Sequence, residues 1–249
     1  MPVWKIRLSL PAKWRGIQKL VYIFLDYEPE LACLQTFLSL GKVFVDVGAY
    51  LGIYSVVASK LLGDTGLVLA FEPSADIFKS LIRNARLNEA QNVLVFPVAL
   101  SHQAGSATLF HHYDPCRNSL EDTAEPDGEE TVLVETLDER LEKEGVARVD
   151  MIKIDVEGAE EMVLRGASRT LYRFRPVVLF EMLDPNRNGA WLFLREHGYE
   201  LFKWAEGASA PLPIQSPNSG GNFLAIPREG AGPKFLTQGP MRSARSGVW

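Results

Sequence analysis

Apolar and polar positions along this chain fall into two alternating periods. Val43-Phe44-Val45 is an apolar run that ends on Asp46, turns through Gly48 and enters a helix at Gly52. There Ile53, Val56, Val57 and Leu61 fall on one face, the stripe of a core-facing helix. Leu67 to Phe71 is a second buried strand, ending on Glu72. Pro73-Ser74 opens a helix to about Asn88, with Ile77, Phe78, Leu81, Ile82, Ala85 and Leu87 apolar. A third strand is predicted over Asn92 to Leu100. Strand, helix, strand, helix, strand implies a parallel sheet with right-handed crossovers.

Beyond Leu100 the pattern changes. Ser106 to Phe110 and Thr131 to Val134 read as short strands flanking the polar stretch Asp114 to Glu130. That stretch, with Glu121, Asp122, Glu125, Asp127, Glu129 and Glu130, reads as a solvated loop, and a lid over the substrate is the competing reading. Thr136-Leu-Asp-Glu139 is a capping box opening a helix to about Lys143. Met151 to Val156 is the next buried strand, running into Asp155-Val156-Glu157-Gly158, with a helix from Ala159 to Leu171 behind it. Pro176 to Phe180 is a strand ending at Glu181, and Ala190 to His197 is a helix. Tyr199 to Trp204 and Asn222 to Ile226 have no helix between them and are predicted to pair antiparallel.

At the amino end, Trp14 to Leu25 and Pro29 to Leu40 are predicted helices. This divides the chain into a helical segment over residues 1–40 packing across the ligand site, an α/β domain over 41–227, and a Gly/Pro/Ser/Arg-rich tail over 228–249 that reads as disordered.

Composition narrows the setting. With 249 residues, 47% of them apolar and 23% charged, the chain has an ordinary globular make-up. No apolar run approaches the roughly 20 residues that span a bilayer. Cys33 and Cys116 have no second pair near them, which disfavours a disulfide framework or structural zinc and points to a reducing, cytoplasmic setting. A net charge of -5 speaks against a nucleic-acid partner. Homo-oligomerisation is left open.

Three strand ends carry acids: Asp46, Glu72 and Asp155. Ligands of open α/β sheets bind at such carboxyl ends. The turn Asp46-Val47-Gly48-Ala49-Tyr50-Leu51-Gly52 lacks the Gly-x-Gly-x-x-Gly spacing of a dinucleotide site, and the chain has no Gly-Lys-Ser or Gly-Lys-Thr phosphate loop. A ligand with a ribose, an adenine and an amino-acid end fits better: S-adenosyl-L-methionine. Glu181 ends a strand at the same rim and can orient acceptor hydroxyls. With Asp155 and Glu157 it would bind a divalent cation only if the three converged, and no metal is assigned. His102, His111 and His112 default to the surface.

The segments VFVDVGAYLGIYS (43–55), AFEPS (70–74), LSHQAGSATL (100–109), VETLDERL (134–141), IKIDVEGAEEMVLRGA (152–167) and FRPVVLFE (174–181) resemble the FkbM family of S-adenosylmethionine-dependent methyltransferases. The resemblance implies a class I, Rossmann-like α/β fold, a seven-stranded, mostly parallel sheet with an antiparallel last strand and helices on both faces. It assigns the cofactor to Asp46 and the turn Gly48, Ala49, Tyr50 and Gly52. It puts Glu72, beside Pro73, on the ribose, Ala99 by the adenine, and Asp155 near the methionine end or the acceptor. Tyr50 departs from the family, which has Asn there. Methyl transfer to a hydroxyl wants a base, and Asp155 and Glu157 are the candidates, Glu157 competing with a role as a helix N-terminal charge. The expected enzyme O-methylates a sugar or a glycosylated or polyketide-type natural product. A small-molecule or glycan acceptor is its partner, and an inactive cofactor-binding module is the alternative.

Overall fold

The computed structural model describes residues 6–10, 29–112, 118–120, 126–203 and 211–229. The predicted helix Trp14 to Leu25 and the tail beyond Glu229 lie outside them. In chain order the elements are α1 (Pro29–Phe37), β1 (Val43–Val47), α2 (Ile53–Leu62), β2 (Leu67–Phe71), α3 (Ala75–Leu87), β3 (Val93–Phe96), β4 (Ala99–Leu100), β5 (Gly105–His111) and β6 (Gly128–Glu135). They continue as α4 (Leu137–Lys143), β7 (Met151–Ile154), α5 (Glu160–Arg165), α6 (Ser168–Phe174), β8 (Val177–Met182), α7 (Gly189–Glu196), β9 (Tyr199–Lys203), β10 (Leu212–Pro213) and β11 (Gly221–Pro227).

The main sheet has the order β10-β9-β11-β8-β7-β1-β2-β3. Strands β3, β2, β1, β7 and β8 are parallel to their neighbours, and β11 is inserted antiparallel between β8 and β9. This is the expected class I arrangement, lengthened at one edge by the two-residue β10. Period-two alternation sorts the strand residues by face. Phe44, Met151, Leu179 and Leu224 bury against Leu34 of α1 and Val56, Val57 and Leu62 of α2. Val45, Val47, Ile152, Ile154, Val178 and Phe180 bury on the opposite face against Leu141, Val163, Leu164, Leu171 and Trp191. Each such fully buried side chain stabilises the fold by roughly 1.5–3 kcal/mol, so both helical layers are held by the same sheet.

Two expected elements divide. The third strand stops at Phe96, the last residue paired with β2, and after Pro97 the chain leaves the main sheet. Ala99 and Leu100 then pair in parallel with Val134 and Glu135 in a second sheet, β4-β6-β5. The helix after β7 breaks at Gly166-Ala167 into α5 and α6, and the Gly166 carbonyl accepts a hydrogen bond from the Asp138 N–H. The predicted N-cap is present at α4: Thr136 Oγ1 accepts from the Glu139 N–H at 3.2 Å. Residues 128–130 are strand, not loop, because β6 runs back along β5 as far as His111. Among the described residues no helix is long and apolar enough to cross a membrane.

Candidate active site

The carboxyl ends of β1, β2, β7 and β8 converge on one cavity of about 390 Å³. Its wall includes Gly48, Ala49, Tyr50, Glu72, Pro73, Ala99, Asp155, Glu157 and Glu181, so nine sequence-predicted residues meet there. Gly52 and Asp46 are not on the wall. Gly52 is the N-cap of α2, at φ 80°. Asp46 sits fully buried behind the wall, one oxygen (Oδ2) accepting from Ser55 Oγ at 2.6 Å.

The turn after β1 is shaped by what it lies on. Gly48 has φ +72°, and a Cβ there would stand 1.8 Å from the Asp155 carbonyl oxygen. The chain can cross the end of β7 only without a side chain at this position. The N–H groups of Gly48 and Ala49 both donate to the Phe71 carbonyl, at 3.1 and 2.9 Å, tying the turn to the end of β2. The Tyr50 N–H then donates to Glu72 Oε2 at 3.0 Å, and the Ser74 N–H to Oε1 at 2.9 Å. Each Glu72 oxygen keeps a lone pair for a diol. Burial pushes the Glu72 carboxyl up to about 7, against the opposing pull of the Ser74 and Tyr50 N–H groups.

Tyr50 lies at φ 50°, in the left-handed region. That conformation explains the Asn of the resembling family, because Asn enters it far more readily than a bulky side chain. Tyr50→Asn is expected to relieve roughly 1 kcal/mol of backbone strain. The melting temperature should then rise by about 2–4 °C in a thermal unfolding scan; a fall would mean that tyrosine packing outweighs the strain.

Sequence reasoning passed over Lys153. It stands opposite Asp46 in the β1–β7 register and is 6% exposed. Its Nζ lies 3.1 Å from Asp155 Oδ2 and 3.9 Å from Asp46 Oδ1, and 4.7 Å from the centre of the Tyr54 ring. One lysine in the otherwise apolar run Met151-Ile152-Lys153-Ile154 was the available signal: a buried charge implies a partner. Asp46 is raised by its burial, which Lys153 and Ser55 oppose.

Asp155, Glu157 and Glu181 do converge: ligand oxygens of the three lie within 4.8 Å of one another. Burial, and after it the neighbouring Asp155 and Glu157 carboxylates, push Glu181 up to about 8. The Lys153 ammonium, 3.1 Å from Asp155, offsets part of the negative charge of the trio. Glu157 has φ 55° and Gly158 φ 111°, a tight turn between β7 and α5. The carboxylate at the start of α5 is Glu160, which accepts from the Gly158 and Val156 N–H groups at 3.0 and 3.3 Å. Glu157 lies outside that helix turn, on the cavity wall.

The polar stretch before β6 contributes to the wall as well. Asn118 and Leu120 line the cavity, Ser119 forms a bridge with Phe110, and Ser119 Oγ donates to the Glu157 carbonyl at 2.9 Å. Glu121, Asp122 and Glu125 lie outside the described residues. None of His102, His111 and His112 lines the cavity; His111 pairs with Glu130 at 3.0 Å. Leu31, Leu34 and Leu38 pack on the sheet and α2, and no described residue of 29–40 reaches the cavity wall.

The turn at Gly48, the buried Glu72 carboxylate, an apolar strip of Val98, Ala99, Leu100 and Leu109 and the Asp155, Glu157 and Glu181 rim line one cavity. The family model of the methyltransferase FkbM domain matches residues 46–201. Methyltransferase sdnD of Sordaria araneosa is 26% identical over 212 residues, covering 72% of this chain and 80% of its own. Hexuronic acid methyltransferase AglP of Haloferax volcanii is 26% identical over 177 residues, covering 71% of this chain and 65% of its own. The crystal structure of methyltransferase FkbM from Methylobacillus flagellatus superposes with a TM-score of 0.51 at 17% identity, over 83% of this chain and 52% of that one, a likeness of fold.

Proposed function

The chain belongs to the FkbM methyltransferase family, with S-adenosylmethionine as its cofactor, and on that premise we propose that it O-methylates a hydroxyl of a sugar or of a glycosylated or polyketide-type natural product. The observation that carries this reading is the single cavity in which Glu72 and the Gly48–Tyr50 turn meet the Asp155–Glu157–Glu181 rim. One side suits the nucleoside of the cofactor, and the other is a set of hydrogen-bond acceptors suited to a polyhydroxylated acceptor. The likeness to AglP, a hexuronic acid methyltransferase, supports a sugar acceptor.

In this reading Glu72 holds the ribose diol, Pro73 and the turn residues Ala49 and Tyr50 flank the nucleoside, and Ala99 lies on the adenine. Gly48 and Gly52 shape the turn, and Asp46 supports the wall from behind. S-adenosylmethionine supplies an activated methyl group on a sulfonium centre. What the protein supplies is alignment and a proton acceptor. Asp155 meets the amino-acid end of the cofactor and takes the hydroxyl proton of the acceptor. Glu181 orients a neighbouring hydroxyl, and Glu157 closes the rim.

Incubation with S-adenosylmethionine and a panel of sugars and glycosides tests the reading, with release of S-adenosylhomocysteine and an O-methyl product as the expected result. Cofactor binding with no product from any acceptor would return the chain to a cofactor-binding module. Asp155→Asn is expected to lower kcat by on the order of 100-fold or more, while the dissociation constant of S-adenosylhomocysteine rises only about fivefold. Equal losses in both would make Asp155 a cofactor ligand alone.

A further inference from the structure

The most unusual group in the cavity wall is a nearly buried ammonium between two carboxylates. Burying a lysine this far is unfavourable unless its charge is matched. Here Asp46 lies behind it and Asp155 in front. The fold makes this alignment: Asp46 and Lys153 are register partners on adjacent parallel strands, and Asp155 follows two residues later on the same face. Asp46 Oδ2 is occupied by Ser55, and its buried Oδ1 has no hydrogen bond, only the ammonium at 3.9 Å.

We propose that Lys153 is a positioning residue: anchored from behind by Asp46, its ammonium holds the Asp155 carboxylate at the mouth of the cavity, between the cofactor and acceptor halves. The inference rests on the reading that Asp155 meets the reacting partners. Asp46 is not on the cavity wall; Lys153, which is, stands between it and Asp155. The groups that face this pair are Tyr54 and Ser55 from α2, Glu72 after β2, Asp155 on the β7 side, and Glu181 from β8, which adjoins Asp155.

The test uses the full chain, with S-adenosylhomocysteine as the probe and thermal unfolding across pH as an independent readout. Lys153→Met is expected to weaken binding about three- to fivefold, and Lys153→Arg to stay within about twofold of wild type because it keeps the charge. In the Asp155→Asn background Lys153→Met should add almost nothing, since its effect passes through Asp155. Without the ammonium, Asp46 must take a proton to remain buried. The Lys153→Met protein should therefore gain melting temperature relative to wild type as pH is lowered. Wild-type affinity in Lys153→Met, or losses that multiply with those of Asp155→Asn, would overturn the inference. If Lys153→Met does not fold, Asp46→Asn/Lys153→Met decides: it should fold, having lost both charges, and a double variant that also fails assigns Lys153 to packing instead. Asp155→Asn with wild-type turnover would remove the reading of Asp155 itself, which is a separate outcome.

Discussion

Glu72→Gln is expected to weaken S-adenosylhomocysteine binding by roughly 1.5–3 kcal/mol, about 10- to 150-fold. The size of the loss follows from the surroundings of this carboxylate. Both oxygens accept backbone N–H groups, from Tyr50 and Ser74, and the side chain is buried. A glutamine must turn its NH2 towards one of those donors, leaving a buried N–H unmatched. It also loses the charge that strengthens a hydrogen bond from a ribose hydroxyl. The same carboxylate sets a pH dependence. Diol donation favours the ionised form, and Glu72 in the free protein is pushed up to about 7 by burial. Wild-type affinity should be flat well above pH 7 and should fall as pH drops through that value, by up to about tenfold per unit. In Glu72→Gln this dependence should be absent. Calorimetric titration at several pH values measures both effects, and a pH-independent wild type would remove Glu72 from the ribose.

Gly48→Ala is the second large effect. The new Cβ would fall 1.8 Å from a backbone oxygen, that of Asp155, and the residue is held at φ +72°. Neither side can yield cheaply, because Gly48 and Ala49 are bonded to the end of β2 and the Asp155 N–H donates to Val47 on β1. The strand ends must part or the turn must change shape. A destabilisation of at least about 3 kcal/mol is expected, with loss of measurable cofactor binding. Gly105→Ala is the control: nothing lies within 4 Å of its added Cβ, and the change should stay within about 0.5 kcal/mol. Thermal unfolding of both variants separates the two cases. A Gly48→Ala protein as stable as Gly105→Ala would show that the turn is not pinned against β7.

Much of this molecule was legible in one dimension. The period of apolar residues marked β1, β2, β7 and β8 and the helices between them, since a strand buried on both faces and an amphipathic helix each write their own repeat. The acids at strand ends marked the active edge, because a parallel sheet collects all its carboxyl ends on one side. Pairing of β9 with β11 followed from the missing helix between them. The motifs at 43–55 and 152–167 carried the family, and with it the cofactor.

Other features depend on contacts between distant segments, and no local pattern records those. The run 92–100 looks like one strand, yet Ala99 and Leu100 belong to a different sheet because Val134 and Glu135 offer a partner there. Ser119 could not be tied to Phe110 and Glu157 by composition, since an acidic loop and a cavity wall share the same polar residues. Glu157 and Glu160 look interchangeable at a helix start until the turn at φ 55° sends one to the cavity and the other to the N–H groups. Lys153 reads as a stray charge until the β1–β7 register sets it against Asp46. Sequence period alone determined which residues are buried and which edge is active. Only the tertiary structure decided which buried charges face one another, because that depends on strand register and the free energy of a charge depends on its partner.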